Sequence, residues 1–303
     1  MDHPTLQKKI TYIYKEKIKK LAYLIGGIIT IASLFFSFNF IYQHHIEMKV
    51  IEIVKTNPLQ ILFLLIIATL INPFLGLGWR YILLNQGLKI KSREAIQIYR
   101  ITQLAKYIPG NVFQFIGRQG IGMSRGLDAA KLAISSLIEI LSLGIVGLIF
   151  LLIFLISKYT NITYATFSVG LLVILCYLTI QKINNIRSLF FYITYLLMSS
   201  LIYISTFKLV IQNANFSISD YLTESVGFIL SWFIGFITPG SPAGLGIREL
   251  MLAKTIGHSV SASELASIVF LSRVTSVIAD INYFLISLAM SNHSIRIKPS
   301  LKH

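Results

Sequence analysis

Apolar runs long enough to cross a bilayer recur along this chain, and nothing else in the sequence limits its fold so sharply. A helix needs about 20 consecutive apolar residues to span the hydrocarbon core. Six runs meet that length, at 21–42, 59–84, 129–156, 163–181, 188–211 and 261–290. Only 13% of the residues are charged and 55% are hydrophobic, whereas soluble domains are near a quarter charged. The short alternating segments of a membrane β-barrel are not seen. The expected fold class is therefore an all-α polytopic membrane protein with one transmembrane domain over 21–290. A basic cytoplasmic N-terminus, 1–20, precedes it and a cytoplasmic tail, 291–303, follows. The apolar stretch after the N-terminal lysines is too long for a signal peptide and is read as a retained first span.

Two further segments, 95–122 and 221–257, are apolar but interrupted. The first contains PGNVFQFIGRQ, from Pro109 and Gly110 to Arg118, and the second PGSPAGLGIRE, from Pro239 and Gly240 to Arg248 and Glu249. In both, an Arg follows the Pro by nine residues. Proline lacks the amide hydrogen that helix continuation needs, and glycine accepts positive φ. Each segment is thus expected to be two half-length helices meeting at a break. Backbone that leaves helical geometry at membrane depth must be buried in protein or line a wet cavity, so a hairpin returning to its own side is the natural form.

Charge tests the layout. With the N-terminus inside and both hairpins returning, 19 of the 27 basic residues fall in cytoplasmic segments, 5 outside and 3 within spans. That bias is the positive-inside pattern. It accounts for the net charge of +15 without nucleic acid, whose single-strand readers interleave aromatic and basic residues in solvated regions. Three spans separate the hairpins, so they open to opposite sides. Aligned on Pro-Gly, Arg118 meets Arg248. After a three-residue shift, LAISSLIEI (132–140) meets LASIVFLSR (265–273). The layout is an inverted repeat, with motifs at 95–156 and 221–290, of the kind many secondary transporters share.

The candidate functional residues follow from these breaks and from charges at mid-span. Freed amides at Pro109-Gly110 and Pro239-Gly240 suit an anion. Gly240, Gly244 and Gly246 would let a head group approach the backbone. Arg118 and Arg248 carry the planar fork that grips phosphate. The alternatives are an interfacial anchor for Arg118, and for Arg248 a pair with Glu249 or a side chain reaching the interface. Glu139 and Arg273 lie mid-span, where an unpaired charge is costly. Their near-equivalence in the repeats suggests that a pseudo-two-fold axis brings them together, as a substrate site or a structural ion pair. Asp280, two turns after Arg273, is either its counter-ion or a proton site. Asn72-Pro73 should kink the second span. Ser135, Ser136, Ser142, Ser276 and Asn282 are packing glue or a polar seam. The single cysteine, Cys176, and the six histidines form no metal-ligand pattern, and no cofactor motif appears.

KYIPGNVFQFIGR, LAISSLIEI and SWFIGFITPGSPAGLGIRE resemble the lysylphosphatidylglycerol synthase transmembrane region, or flippase-like domain family, over about 95–289. Members carry Glu-Arg where this chain has Glu139-Ile140, and Arg273 stands at the matching place of the second repeat. The resemblance implies a stand-alone membrane module without synthase activity, in a bacterial inner membrane with both termini cytoplasmic. The expectation is a lipid translocator and not an enzyme. Its substrate would be a phosphate-bearing phospholipid or glycolipid, whose head passes Arg118, Glu139, Arg248 and Arg273. The competing expectation is a non-transporting scaffold for an envelope glycan or lipid biosynthetic enzyme.

Overall fold

The computed structural model describes residues 46–108, 112–157, 184–211, 217–238, 246–256 and 260–291, with residues 160, 161, 170 and 244. Among the described residues the fold is helical throughout. The long elements are α1 (Ile46–Thr56), α2 (Pro58–Ile71), α3 (Pro73–Asn85), α4 (Ser92–Thr102), α5 (Phe113–Ser124), α6 (Ala129–Ser157), α7 (Asn184–Val210), α8 (Ile218–Ile237), α9 (Ile247–Ile256) and α10 (Ala262–Ser291). A 3₁₀ turn, Gln103–Tyr107, extends α4.

Four units are long and apolar enough to cross a membrane: Pro58–Asn85, Ala129–Ile156, Arg187–Val210 and Ser263–Ala289. They coincide with four of the six expected spans. The expected spans at 21–42 and, apart from Gly170, 163–181 lie outside the described residues, as do the N-terminal segment 1–20, residues 292–303 of the tail, and Cys176.

Surface patterning fits the length argument. On α6, Ile134, Leu137, Leu141, Ile145, Leu148 and Leu152 are exposed at spacings of three and four, a continuous apolar stripe on one helix face. The opposite face buries Ser135, Ser136, Glu139, Ser142, Leu143 and Val146. A stripe of this kind in water would be a large exposed patch; in a bilayer it is the ordinary lipid-facing side.

The first span among the described residues is α2 running into α3 across Asn72-Pro73. Proline offers no amide to the Thr69 carbonyl, and the Asn72 amide takes that carbonyl instead at 3.4 Å. The Asn72 side chain donates to the Ala68 carbonyl at 3.2 Å. The break is thereby satisfied internally, and buried Asn72 does not need water.

Both interrupted segments are pairs of helices. α4 with its 3₁₀ turn packs on α5, and α9 packs back against α8. The start of α8 is fixed by a capping box: the Ser217 hydroxyl accepts from the Asp220 amide while the Asp220 carboxylate accepts from the Ser217 amide at 2.8 Å. Ser217→Ala is expected to cost about 1 kcal/mol, read as a lower thermal midpoint in detergent.

Two packed cores share α7. One gathers Trp79, Ile82, Ile98, Leu132, Val146, Tyr192 and Ile229 from α3, α4, α6, α7 and α8. The other gathers Val50, Ile53, Tyr203, Phe207, Leu252 and Ile268 from α1, α7, α9 and α10. The candidate site lies between them.

Candidate functional site

A cavity of about 120 Å³ opens between the two cores. Leu75, Tyr99 and Leu143 of the first core and Tyr203, Leu252 and Val269 of the second face it. Its charged lining, among the described residues, is Lys106, Glu139, Arg248, Arg273 and Asp280. All five stand in the interrupted segments or on the long helices that follow them. Pro109, Gly110, Pro239 and Gly240 lie outside the described residues.

Arg118 and Glu139 form an ion pair at 2.5 Å, with side chains only 2% and 1% exposed. The other carboxylate oxygen of Glu139 accepts from the Tyr99 hydroxyl at 2.9 Å. The guanidinium lies over three rings, with its centre 4.3 Å from Tyr99, 4.8 Å from Phe115 and 5.7 Å from Trp79. Trp79 is itself held by an indole donation to the Ser135 hydroxyl at 3.1 Å. This pair has its oxygens occupied and its cation boxed in aromatic faces, an arrangement that fixes α5 to α6. The interfacial-anchor alternative for Arg118 is thus corrected: the residue is buried.

The second half reverses the polarity. Here the hairpin helix α9 supplies the acid, Glu249, and the long helix α10 supplies the base, Arg273, with Nε to Oε1 at 2.8 Å. Arg273 also donates to the Gly244 carbonyl at 3.1 Å. These side chains are 18% and 13% exposed, so this pair is the more open of the two. The expected meeting of Glu139 with Arg273 is corrected: each takes a partner within its own half, because each long helix presents its charge to the hairpin that precedes it. The expected Arg248–Glu249 pair is corrected for the same reason.

Asp280 is engaged by Lys106 at 2.7 Å and by the Tyr107 hydroxyl at 2.6 Å, with Gln103 at 3.5 Å. It therefore ties α10 to the 3₁₀ turn before the first break, and the reading of Asp280 as the counter-ion of Arg273 gives way to this contact. The sequence reasoning missed Lys106, Tyr107 and Gln103 as site residues. The signal was present in KYIPG, where a cation and a phenol directly precede the helix break.

Arg248 differs from every other cation around the cavity. Among the described residues no carboxylate lies within ion-pair distance of it, and its Nε is buried without a hydrogen-bond partner. Its guanidinium sits 5.6 Å from the Trp232 ring centroid, a contact that holds a cation while leaving its N–H groups free.

Gly244 and Gly246 have φ of +74° and +81°, the left-handed region in which L side chains are strained. The room at Gly244 is taken by protein: a Cβ there would lie 2.9 Å from the Gly235 Cα and 2.8 Å from Arg248 Nε. Gly244 and Gly235 of α8 come into backbone contact here, with the Arg248 side chain seated against both. Gly244→Ala is expected to destabilise the protein by about 1–3 kcal/mol and to displace Arg248, measurable as a lower thermal midpoint together with altered Trp232 fluorescence. No family model matches the chain, and no curated protein matches it.

Proposed function

We propose that this chain is a lipid translocator that carries the phosphate-bearing head of a phospholipid or glycolipid between the leaflets of a bacterial inner membrane. The observation that carries the reading is Arg248, which among the described residues has no carboxylate in ion-pair distance and a buried Nε without a hydrogen-bond partner, in a cavity walled by membrane-length helices. Desolvating a cation without a counter-charge is expensive, and a protein retains such a group where an anion arrives to meet it.

The supporting chemistry is consistent. Arg248 offers a guanidinium fork, and Arg273, Lys106, Tyr107 and Tyr195 line the same space, the first three already engaged by Glu249 and Asp280. Trp232, Phe228 and Phe236 give flat apolar walls of the kind that sugar or glycerol faces rest on. The exposed apolar stripe on α6, with exposed Leu59, Leu62, Phe63, Ile66 and Leu70 on α2, leaves acyl chains in lipid while the head takes the polar route. A cavity of about 120 Å³ is large enough for several waters or a phosphate group and small for a whole lipid head. The whole head therefore passes by the hairpins parting, and the α4–α5 and α8–α9 hairpins, related by inversion, would part toward opposite sides in turn.

Proteoliposomes with fluorescent anionic phospholipid and a membrane-impermeant quencher test the proposal. Protein-dependent transfer to the opposite leaflet is the expected result. Transfer no faster than in empty liposomes, together with stable co-purification with a glycan or lipid biosynthetic enzyme, would replace it with the scaffold reading.

A further inference from the structure

We infer that the cavity selects a phosphodiester, a head carrying one negative charge, with Arg248 meeting the anion and Asp280 acting as an internal competitor that keeps Lys106 occupied. The inference rests on the translocator reading for its setting, and on the charge inventory of the cavity for its content. Lys106, Arg248 and Arg273 bring three positive charges, and Glu139 and Asp280 bring two negative ones. Adding Arg118 and Glu249, which pair with Glu139 and Arg273 from behind, leaves the balance unchanged. One positive charge is therefore in surplus among the described residues, and we place it on Arg248, which forms no ion pair among them.

A buried site tolerates the ligand charge that neutralises it and rejects excess, because each uncompensated charge is desolvated without return. A phosphodiester cancels the surplus. A phosphate monoester, with a second ionisation near pH 6, brings one charge too many at neutral pH. The cavity can accept that second charge only if Lys106 leaves Asp280. That contact is short at 2.7 Å, is reinforced by the Tyr107 hydroxyl, and has an acid only 3% exposed. Asp280 thus occupies the place that a second phosphate charge would take.

The test uses the full chain purified in detergent at pH 8 and reads binding by tryptophan fluorescence. Trp232 lies in the cavity wall against Arg248, and Trp79→Phe leaves it as the lone indole. The probes are short-chain phosphatidylglycerol as the lipid diester, short-chain phosphatidic acid as the lipid monoester, glycerophosphoglycerol as the soluble diester, and inorganic phosphate. The expected result is at least about tenfold tighter binding of lipid diester than of lipid monoester. Asp280→Asn should raise monoester affinity and reduce that ratio to about one or below. Arg248→Gln should weaken the diester by about tenfold or more, and Arg248→Lys should restore part of it. Monoester binding as tight as diester in the unaltered chain, or a ratio unmoved by Asp280→Asn in a variant with an unchanged thermal midpoint, would overturn the inference.

The soluble probes separate the sources. Glycerophosphoglycerol binding as tightly as the lipid diester, with inorganic phosphate weaker, keeps the charge rule and points to a soluble ligand. Diester selectivity without leaflet transfer in proteoliposomes contradicts the translocator reading alone. Transfer without selectivity contradicts the charge rule alone.

Discussion

Arg248→Gln is expected to slow lipid transfer in proteoliposomes by about 10- to 100-fold while leaving the thermal midpoint within a few degrees of the unaltered chain. The first half of that expectation follows from the strength of hydrogen bonds to charged groups, about 1.5–3 kcal/mol each. The second half follows from what Arg248 lacks. Its Nε has no partner among the described residues, so removing the charge strands no acid and breaks no network. A variant that keeps its fold and loses its transport is the signature of a residue held for a ligand. A large fall in the midpoint would instead assign Arg248 a structural role.

Glu139→Ala should do the reverse. It leaves Arg118 as a charge 2% exposed with no counter-ion, a change that typically costs about 3–5 kcal/mol. It also strands the Tyr99 hydroxyl that donates to Glu139. Replacing the group as a unit, with Arg118→Met, Glu139→Leu and Tyr99→Phe together, should recover most of the lost stability, since apolar packing substitutes well for a buried pair. The charge balance of the cavity is unaltered in that triple variant, so transport should survive in it. Thermal unfolding in detergent, run beside the transfer assay, reads both outcomes. Loss of transport in a stable triple variant would place Arg118 and Glu139 on the substrate path.

Part of this arrangement was legible in the sequence. The spans at 58–85, 129–156, 187–210 and 263–289 could be read because lipid rewards uninterrupted apolar runs, and the pairing of two half-helices around each Pro-Gly because those residues stop helices. Arg273 was found as a mid-span charge, Asp280 by its place two turns further on, and Arg248 with Glu249 by the Pro-Gly motif, and they do converge near one space. Which acid meets which base was not legible. Glu139 and Arg273 fall one place apart when the two sequence motifs are aligned, yet pairing depends on the angle at which each hairpin lies on its long helix, and the chain does not print that angle. Lys106 was hidden by its position, three residues before Pro109, where it reads as one more cytoplasmic cation. Tyr99 and Trp79 were hidden by chemistry: an aromatic in an apolar run looks like core until a guanidinium is found against its face.

The glycines teach the same lesson. Their spacing in PGSPAGLGIRE suggests room for a ligand at the backbone. Packing has filled the place at Gly244 with Gly235 and the Arg248 side chain, so that position serves the ligand only indirectly, by seating the arginine that meets it.

The central claim is that Arg248 and Arg273 face a polar space inside the membrane and not the acyl chains. Its most direct measurement is thiol accessibility in intact membranes. In a Cys176→Ser background, a cysteine replacing cavity-lining Ser272 should react with a small charged methanethiosulfonate reagent and be protected by short-chain phosphatidylglycerol. A cysteine replacing Leu141, on the outward stripe of α6, should stay unreactive. Silence at position 272, or equal labelling at 272 and 141, would contradict the account.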